Sequence, residues 1–134
     1  MSKEIITAIT ELDKSNYKTK VYSGGHFIYA DEPEVLGGTD EGMTPGALLL
    51  ASLGTCTAIT VRMYADRKQI PLDEIKISLA ICPEDEMDKS TTITRKIDLI
   101  GPLSDEDYKR LMIIADKCPI HKLLSNPIKI ENAL

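Results

Sequence analysis

Apolar and polar residues alternate along the first part of the chain, and the spacing then lengthens to that of a helix. Ile5 to Leu12, Tyr17 to Tyr22 and His26 to Ala30 read as half-buried strands, with Lys14-Ser15-Asn16 and Ser23-Gly24-Gly25 supplying the turns. An antiparallel meander is predicted. Asp31 to Met43, rich in Gly, Pro and acid, follows as a loop, and loops of that length without structure of their own are often functional. Thr44 then has N-cap chemistry and Pro45 suits the first helical position, so a helix is predicted from Pro45 to Lys68.

That helix is apolar nearly all round in its early turns, since Leu48, Leu49, Leu50, Leu53, Ile59 and Val61 fall on different faces. Such a helix must be covered on every side, and one small sheet covers only one. A second subunit is therefore expected. Beyond it, Ile75 to Ile81 alternates, Thr92 to Ile100 alternates less cleanly, and Glu84 to Ser90 reads as the charged turn between two strands. Ser104 to Lys117 is predicted as an amphipathic helix, with Ser104 and Asp107 at capping-box spacing and a stripe of Tyr108, Leu111, Met112 and Ala115 leading to Cys118. Pro119 is expected to stop it, His121 to Ser125 to form a short extra turn, and Ile128 to Ile130 to form a final strand.

Length and composition narrow the class. The 134 residues are enough for a single domain, and 43% hydrophobic with 28% charged residues is the composition of a folding globular chain. A net charge of -5 and an aromatic content of 4% argue against nucleic acid, which is bound through clustered cations and stacking rings. Met1-Ser2-Lys3-Glu4 leads into the first alternation without the pattern of a secretory signal, so a cytoplasmic location is expected. Gly42 to Val61 carries no charge and is about as long as a membrane span, but its Thr, Ser, Gly and Pro content favours a buried helix, and no membrane partner is expected.

Three cysteines in such a chain point to catalysis, redox work or metal rather than to a disulfide scaffold. Cys56 shares a helix face with Leu49, Ser52, Leu53, Ile59, Thr60 and Met63, and by local sequence it is either a core filler or a working thiol. Cys118 opens the run Cys118-Pro119-Ile120-His121. If Pro119 begins a helical turn, backbone N–H groups and the nearby imidazole favour a thiolate there. The two cysteines lie on the buried faces of the two substantial helices, and a nearby thiol pair suits peroxide reduction through a sulfenic acid and a disulfide. Cys82, beside the charged turn, reads as non-functional. Cys118 and His121 have a Cys-x-x-His spacing, with His26, Cys56 and Cys82 as the other candidate ligands, but no second close pair exists, so neither metal nor cofactor is expected.

The stretch Thr44-Pro45-Gly46-Ala47-Leu48-Leu49-Leu50-Ala51-Ser52-Leu53-Gly54-Thr55-Cys56-Thr57-Ala58 and the run Met63-Tyr64-Ala65-Asp66-Arg67-Lys68 resemble the central helix of the OsmC/Ohr superfamily. Cys118-Pro119-Ile120-His121-Lys122 resembles its second cysteine motif, and Gly101-Pro102-Leu103-Ser104 its entry into the second helix. The resemblance implies an α+β, two-layer fold with antiparallel sheets around two long central helices. It further implies an intertwined homodimer with active sites at the subunit interface. Carried over, Cys56 is the thiol that attacks a hydroperoxide and Cys118 the one that resolves it, recycled by a small dithiol or a lipoylated or thioredoxin-like donor. His26, after Gly24-Gly25, and Gly46, after Pro45, stand where the peroxidase branches carry an Arg and a Glu, so the chain is closer to the general OsmC-like branch than to Ohr. His26 and His121 are the candidates to support the Cys56 thiolate in their stead. Two other activities fit the same residues: a hydrolase or acyl-transfer enzyme using Cys with His, and a module binding a small hydrophobic ligand.

Overall fold

The computed structural model describes residues 5–133, so the opening Met1 to Glu4 lies outside the described residues. The element order is β1 (Ile9–Glu11), β2 (Thr19–Ser23), β3 (His26–Ala30), a 3-10 turn (Glu34–Leu36), α1 (Pro45–Arg67), β4 (Glu74–Cys82), β5 (Thr92–Ile100), α2 (Asp105–Ala115) and α3 (Pro119–Leu124). The chain divides into an N-terminal compact unit ending at Leu49 and a C-terminal one starting at Leu50.

The N-terminal unit is the expected meander, an antiparallel sheet in the order β1-β2-β3. Its second turn is set by glycine. Ser23 pairs with His26, and Gly24 (φ 58°) and Gly25 (φ 79°) between them adopt the left-handed backbone that a two-residue hairpin needs. The first strand is shorter than the alternation predicted, with only Ile9 to Glu11 in register against Tyr22 to Lys20.

The loop after β3 is ordered by one carboxylate. Asp31 is buried, and its oxygens accept hydrogen bonds from Glu32 N (2.7 Å), Thr39 Oγ1 (2.7 Å) and Glu41 N (3.1 Å). Asp31 N donates to Met43 O, which brings the two ends of the loop together. Glycine is needed at 38 because a Cβ there would sit 2.0 Å from Glu32 O.

In the C-terminal unit, β4 and β5 form a nine-residue antiparallel hairpin from Glu74↔Ile100 to Cys82↔Thr92. Cys82 is thus the last residue of β4 rather than a residue beyond it. The core is made by Val61 and Ala65 of α1, Leu72, Ile97 of β5, and Leu111 and Ala115 of α2. α1 starts as expected, with the Thr44 hydroxyl accepting from Ala47 N, and its buried residues Leu53, Thr57, Val61 and Ala65 recur every fourth position. That is one stripe. The other faces leave Leu49, Ile59 and Met63 at 43%, 48% and 65% exposure, on a helix long and apolar enough by composition to cross a membrane.

α2 is capped by Ser104, whose Oγ accepts from Asp107 N at 3.0 Å, but it ends at Ala115 and not at Lys117. Pro119 does not merely stop a helix; it starts α3, one residue after Cys118. Among the described residues one helix is long, α1 with 23 residues, whereas α2 has 11. Ile128 to Ile130, expected as a strand, has no partner strand among the described residues, and Ile130 stays 92% exposed.

For Asp31, burial raises the carboxyl, but the bonds from Thr39, Glu32 N and Glu41 N outweigh it and hold the group below the ordinary carboxylate range. A depressed folded value means the stabilisation is present at neutral pH and is lost as pH falls through that value. Asp31→Asn is therefore expected to lower the melting temperature at neutral pH, with the difference from wild type vanishing in strong acid, as read by thermal melts across pH.

Candidate thiol site

The C-terminal unit brings the two cysteines together. Cys56 sits midway along α1, half-buried, and Cys118 lies in the link between α2 and α3 with none of its surface exposed. The thiols are free and lie near enough to shift one another's ionisation. Cys118 is extended (φ -64°, ψ 133°) as the cap of α3, and its Sγ accepts from His121 N at 3.3 Å. The proline-started turn foreseen after Cys118 is formed. Its contribution is the backbone N–H of His121, and among the described residues no imidazole is bonded to a thiol.

The two sulfurs have opposite environments. Burial and then the neighbouring Cys118 sulfur push the Cys56 thiol up, against weaker help from the Ile120 N–H and the Thr60 hydroxyl. Burial also opposes ionisation of Cys118, but the donors around it (the Cys56 thiol, His121 N–H, the Thr57 hydroxyl and Ile120 N–H) outweigh it and hold Cys118 below the usual thiol range. Of the pair, Cys118 is the thiol whose ionisation its surroundings favour, and Cys56 the one whose ionisation they oppose. The more exposed sulfur is the less acidic one.

Two residues of this site lie outside the sequence-based candidates. Thr57 follows Cys56 and is fully buried, its hydroxyl donating to Leu53 O at 2.8 Å. Arg95 on β5 donates from Nη1 to Thr57 Oγ1 (2.9 Å) and Ala115 O (3.2 Å), and from Nη2 to Asp116 Oδ1 (2.5 Å). A signal for both was present. Ile93, Arg95, Ile97 and Leu99 share the inward face of a strand, and Thr57 occupies the buried stripe of α1, so each is a polar residue at an apolar position.

A cavity of about 210 Å³ adjoins these elements, lined by Leu53, Thr91, Ile93, His121, Leu124 and Ser125. Leu53 is three residues before Cys56, and His121 is three after Cys118. His26 is exposed at the start of β3 and Gly46 is the second residue of α1, both in the N-terminal unit. Cys82 is half-buried at the end of β4. Among the described residues no cluster of three His, Cys, Asp or Glu side chains is placed to hold a metal.

A family model described as OsmC-like protein matches residues 38–132, a span that contains both thiols. Solved structures similar to the chain include an OsmC-like protein from Mycoplasma pneumoniae, at 19% identity over 92% of this chain and 89% of that one, with a TM-score of 0.77. An organic hydroperoxide resistance protein OsmC from Legionella pneumophila is 16% identical over 92% and 91%, with a TM-score of 0.66. The organic hydroperoxide resistance protein OhrB of Bacillus subtilis is 20% identical over 91% of each chain, with a TM-score of 0.61. No curated protein matches the sequence. At these identities the likeness establishes the antiparallel α+β fold.

Because each sulfur raises the cost of a second negative charge, removing Cys118 is expected to ease ionisation of Cys56. In Cys118→Ala, the midpoint of the pH–rate profile for alkylation of Cys56 is expected to fall by about one unit.

Proposed function

Because the chain belongs to the OsmC-like protein family, we propose that it is a cysteine-based peroxidase that reduces organic hydroperoxides or hydrogen peroxide through Cys56 and Cys118. The observation that carries this reading is that two free thiols lie near enough to shift one another's ionisation, one partly buried and one fully buried with the His121 N–H donating to its sulfur. A peroxide must reach the sulfur that attacks it. Cys56 is the accessible one, which agrees with the role that the resemblance implies for it.

In this reading Cys118 has two tasks. Its thiolate takes the Cys56 proton as Cys56 approaches the terminal peroxide oxygen. The Cys56 sulfur then bonds to that oxygen, the O–O bond breaks, and the leaving alkoxide takes the proton back from Cys118 and departs as the alcohol. Cys56 is now a sulfenic acid and Cys118 again a thiolate. Attack of Cys118 on the Cys56 sulfur forms the disulfide and expels hydroxide, which solvent protonates to water. An external dithiol, small or protein-borne, returns two electrons and two protons and restores the thiols. The cavity lined by apolar Leu53, Ile93 and Leu124 and by polar Thr91, His121 and Ser125 is the candidate approach for a small peroxide.

The working form is proposed to be a homodimer. Leu49, Ile59 and Met63 leave apolar surface on α1, and Ile128 and Ile130 leave more in the C-terminal segment. A second copy would cover such a surface and add the second long helix that the resemblance implies. Met63→Glu is expected to shift the protein from dimer to monomer in light scattering; a wild type that is monomeric at the same concentration contradicts the assignment.

The reading is tested by peroxide consumption with a dithiol reductant, comparing hydrogen peroxide with a bulky organic hydroperoxide. Wild type is expected to turn over, and Cys56→Ser to lose at least about two orders of magnitude in rate. Equal rates in the two proteins, or an acyl adduct on a cysteine without peroxide turnover, would overturn it.

A further inference from the structure

Ala115 closes α2, and its carbonyl cannot take the usual helical bond, because the residue four further on is Pro119, which carries no N–H. α2 also has no basic residue in its last turn to meet the carbonyls that point out of it. Arg95 of β5 supplies both needs. Its Nη1 donates to Ala115 O at 3.2 Å and to Thr57 Oγ1 at 2.9 Å, and its Nη2 to Asp116 Oδ1 at 2.5 Å. One guanidinium therefore holds the residue next to Cys56 and the second residue before Cys118. We propose that Arg95 is a positioning residue for the thiol pair: it pins the segment leading to Cys118 against the turn of α1 that carries Cys56, and so sets how readily the two sulfurs close into a disulfide.

Arg95 is itself firmly placed. β5 pairs with β4 so that Arg95 lies opposite Leu79, and cross-strand partners face the same side of a hairpin. Leu79 packs on Gly54 of α1, where a Cβ would come within 2.8 Å of Leu79 Cδ1, so glycine lets the helix lie close on the strands two residues before Cys56. The Arg95 side chain is 12% exposed, and Thr57 and Ala115 are fully buried. Bonds from a charged donor in such surroundings are strong, and the planar fork of an arginine fixes two partners at once, as a lysine ammonium does not. The Asp116 carboxylate is more exposed and adds less.

None of these partners is a sulfur atom, so the clamp does not need either thiol to be reduced. Cys56 and Cys118 lie far apart along the chain, and the effective concentration of one thiol at the other depends on how tightly the fold holds their two elements. Freeing either element adds motion that closure must remove. In exchange with oxidised glutathione the two thiols give up two protons and two electrons. A bond forms between the Cys56 and Cys118 sulfurs, the glutathione S–S bond breaks, and two molecules of reduced glutathione leave.

This role for Arg95 rests on the reading of Cys56 and Cys118 as a working pair, but its test uses no peroxide. The readout is the equilibrium between the two thiols and their disulfide in mixtures of reduced and oxidised glutathione, resolved by mass mapping. Arg95→Met is expected to shift it about tenfold toward the thiols, a rise of about 30 mV in potential. Arg95→Lys keeps the charge without the fork and is expected to recover only part of that. Ile97→Val, whose side chain makes none of these bonds, is expected to lower the melting temperature and leave the equilibrium within about twofold of wild type. An equilibrium unchanged in Arg95→Met overturns the clamp, as does full recovery in Arg95→Lys or a shift in Ile97→Val as large as that in Arg95→Met. Should Arg95→Met not fold, Thr57→Val decides: it removes the acceptor on α1, and an unshifted equilibrium overturns the clamp. A wild type that forms no Cys56–Cys118 disulfide overturns the pair and the clamp together, whereas a disulfide formed equally well in wild type and Arg95→Met overturns the clamp alone.

Discussion

The C-terminal unit depends on one stripe of α1. Leu53, Thr57, Val61 and Ala65 repeat every fourth residue and pack toward β5 and α2, with Val61 and Ala65 meeting Ile97, Leu111 and Ala115 in the core. Thr57 is the polar member of that stripe, and burial forces its hydroxyl to find partners within the protein. It finds them in Leu53 O and Arg95. The packing that makes the fold therefore also brings the second thiol to the first.

Burial alone would keep both cysteines neutral. Cys118 is favoured because it caps α3 in an extended conformation in which the His121 N–H donates to its sulfur, while Pro119 begins the turn without needing an N–H of its own. Cys56 has fewer donors, and burial with the Cys118 sulfur beside it opposes its ionisation. In the proposed reaction this division suits the less buried thiol to attack and the buried one to take its proton, so that Cys118 as the more activated sulfur and Cys56 as the attacking one would be successive moments of one reaction.

Much of this was legible along the chain. Thr44-Pro45, Gly24-Gly25 and Ser104 with Asp107 announce a helix start, a tight hairpin and a second helix start through local chemistry, and local chemistry is what a sequence displays. The spacing of the strands and the turn begun by Pro119 were visible for the same reason. The end of α2 at Ala115 was not, because the Arg95 bonds that hold Ala115 O and Asp116 come from a strand 20 residues away. Thr57 and Arg95 were missed because their meaning lies in a contact across elements, although each broke an apolar pattern. The Ile128 to Ile130 alternation predicts a strand, yet a strand needs a neighbour, and no neighbour for it lies among the described residues.

The account stands on Cys56 and Cys118 working as a pair, and mass mapping of the cysteines after one equivalent of an organic hydroperoxide tests that most directly. The expected product is a single reducible bond between Cys56 and Cys118, with Cys82 still free. Both thiols recovered free, or a disulfide that includes Cys82, would contradict it.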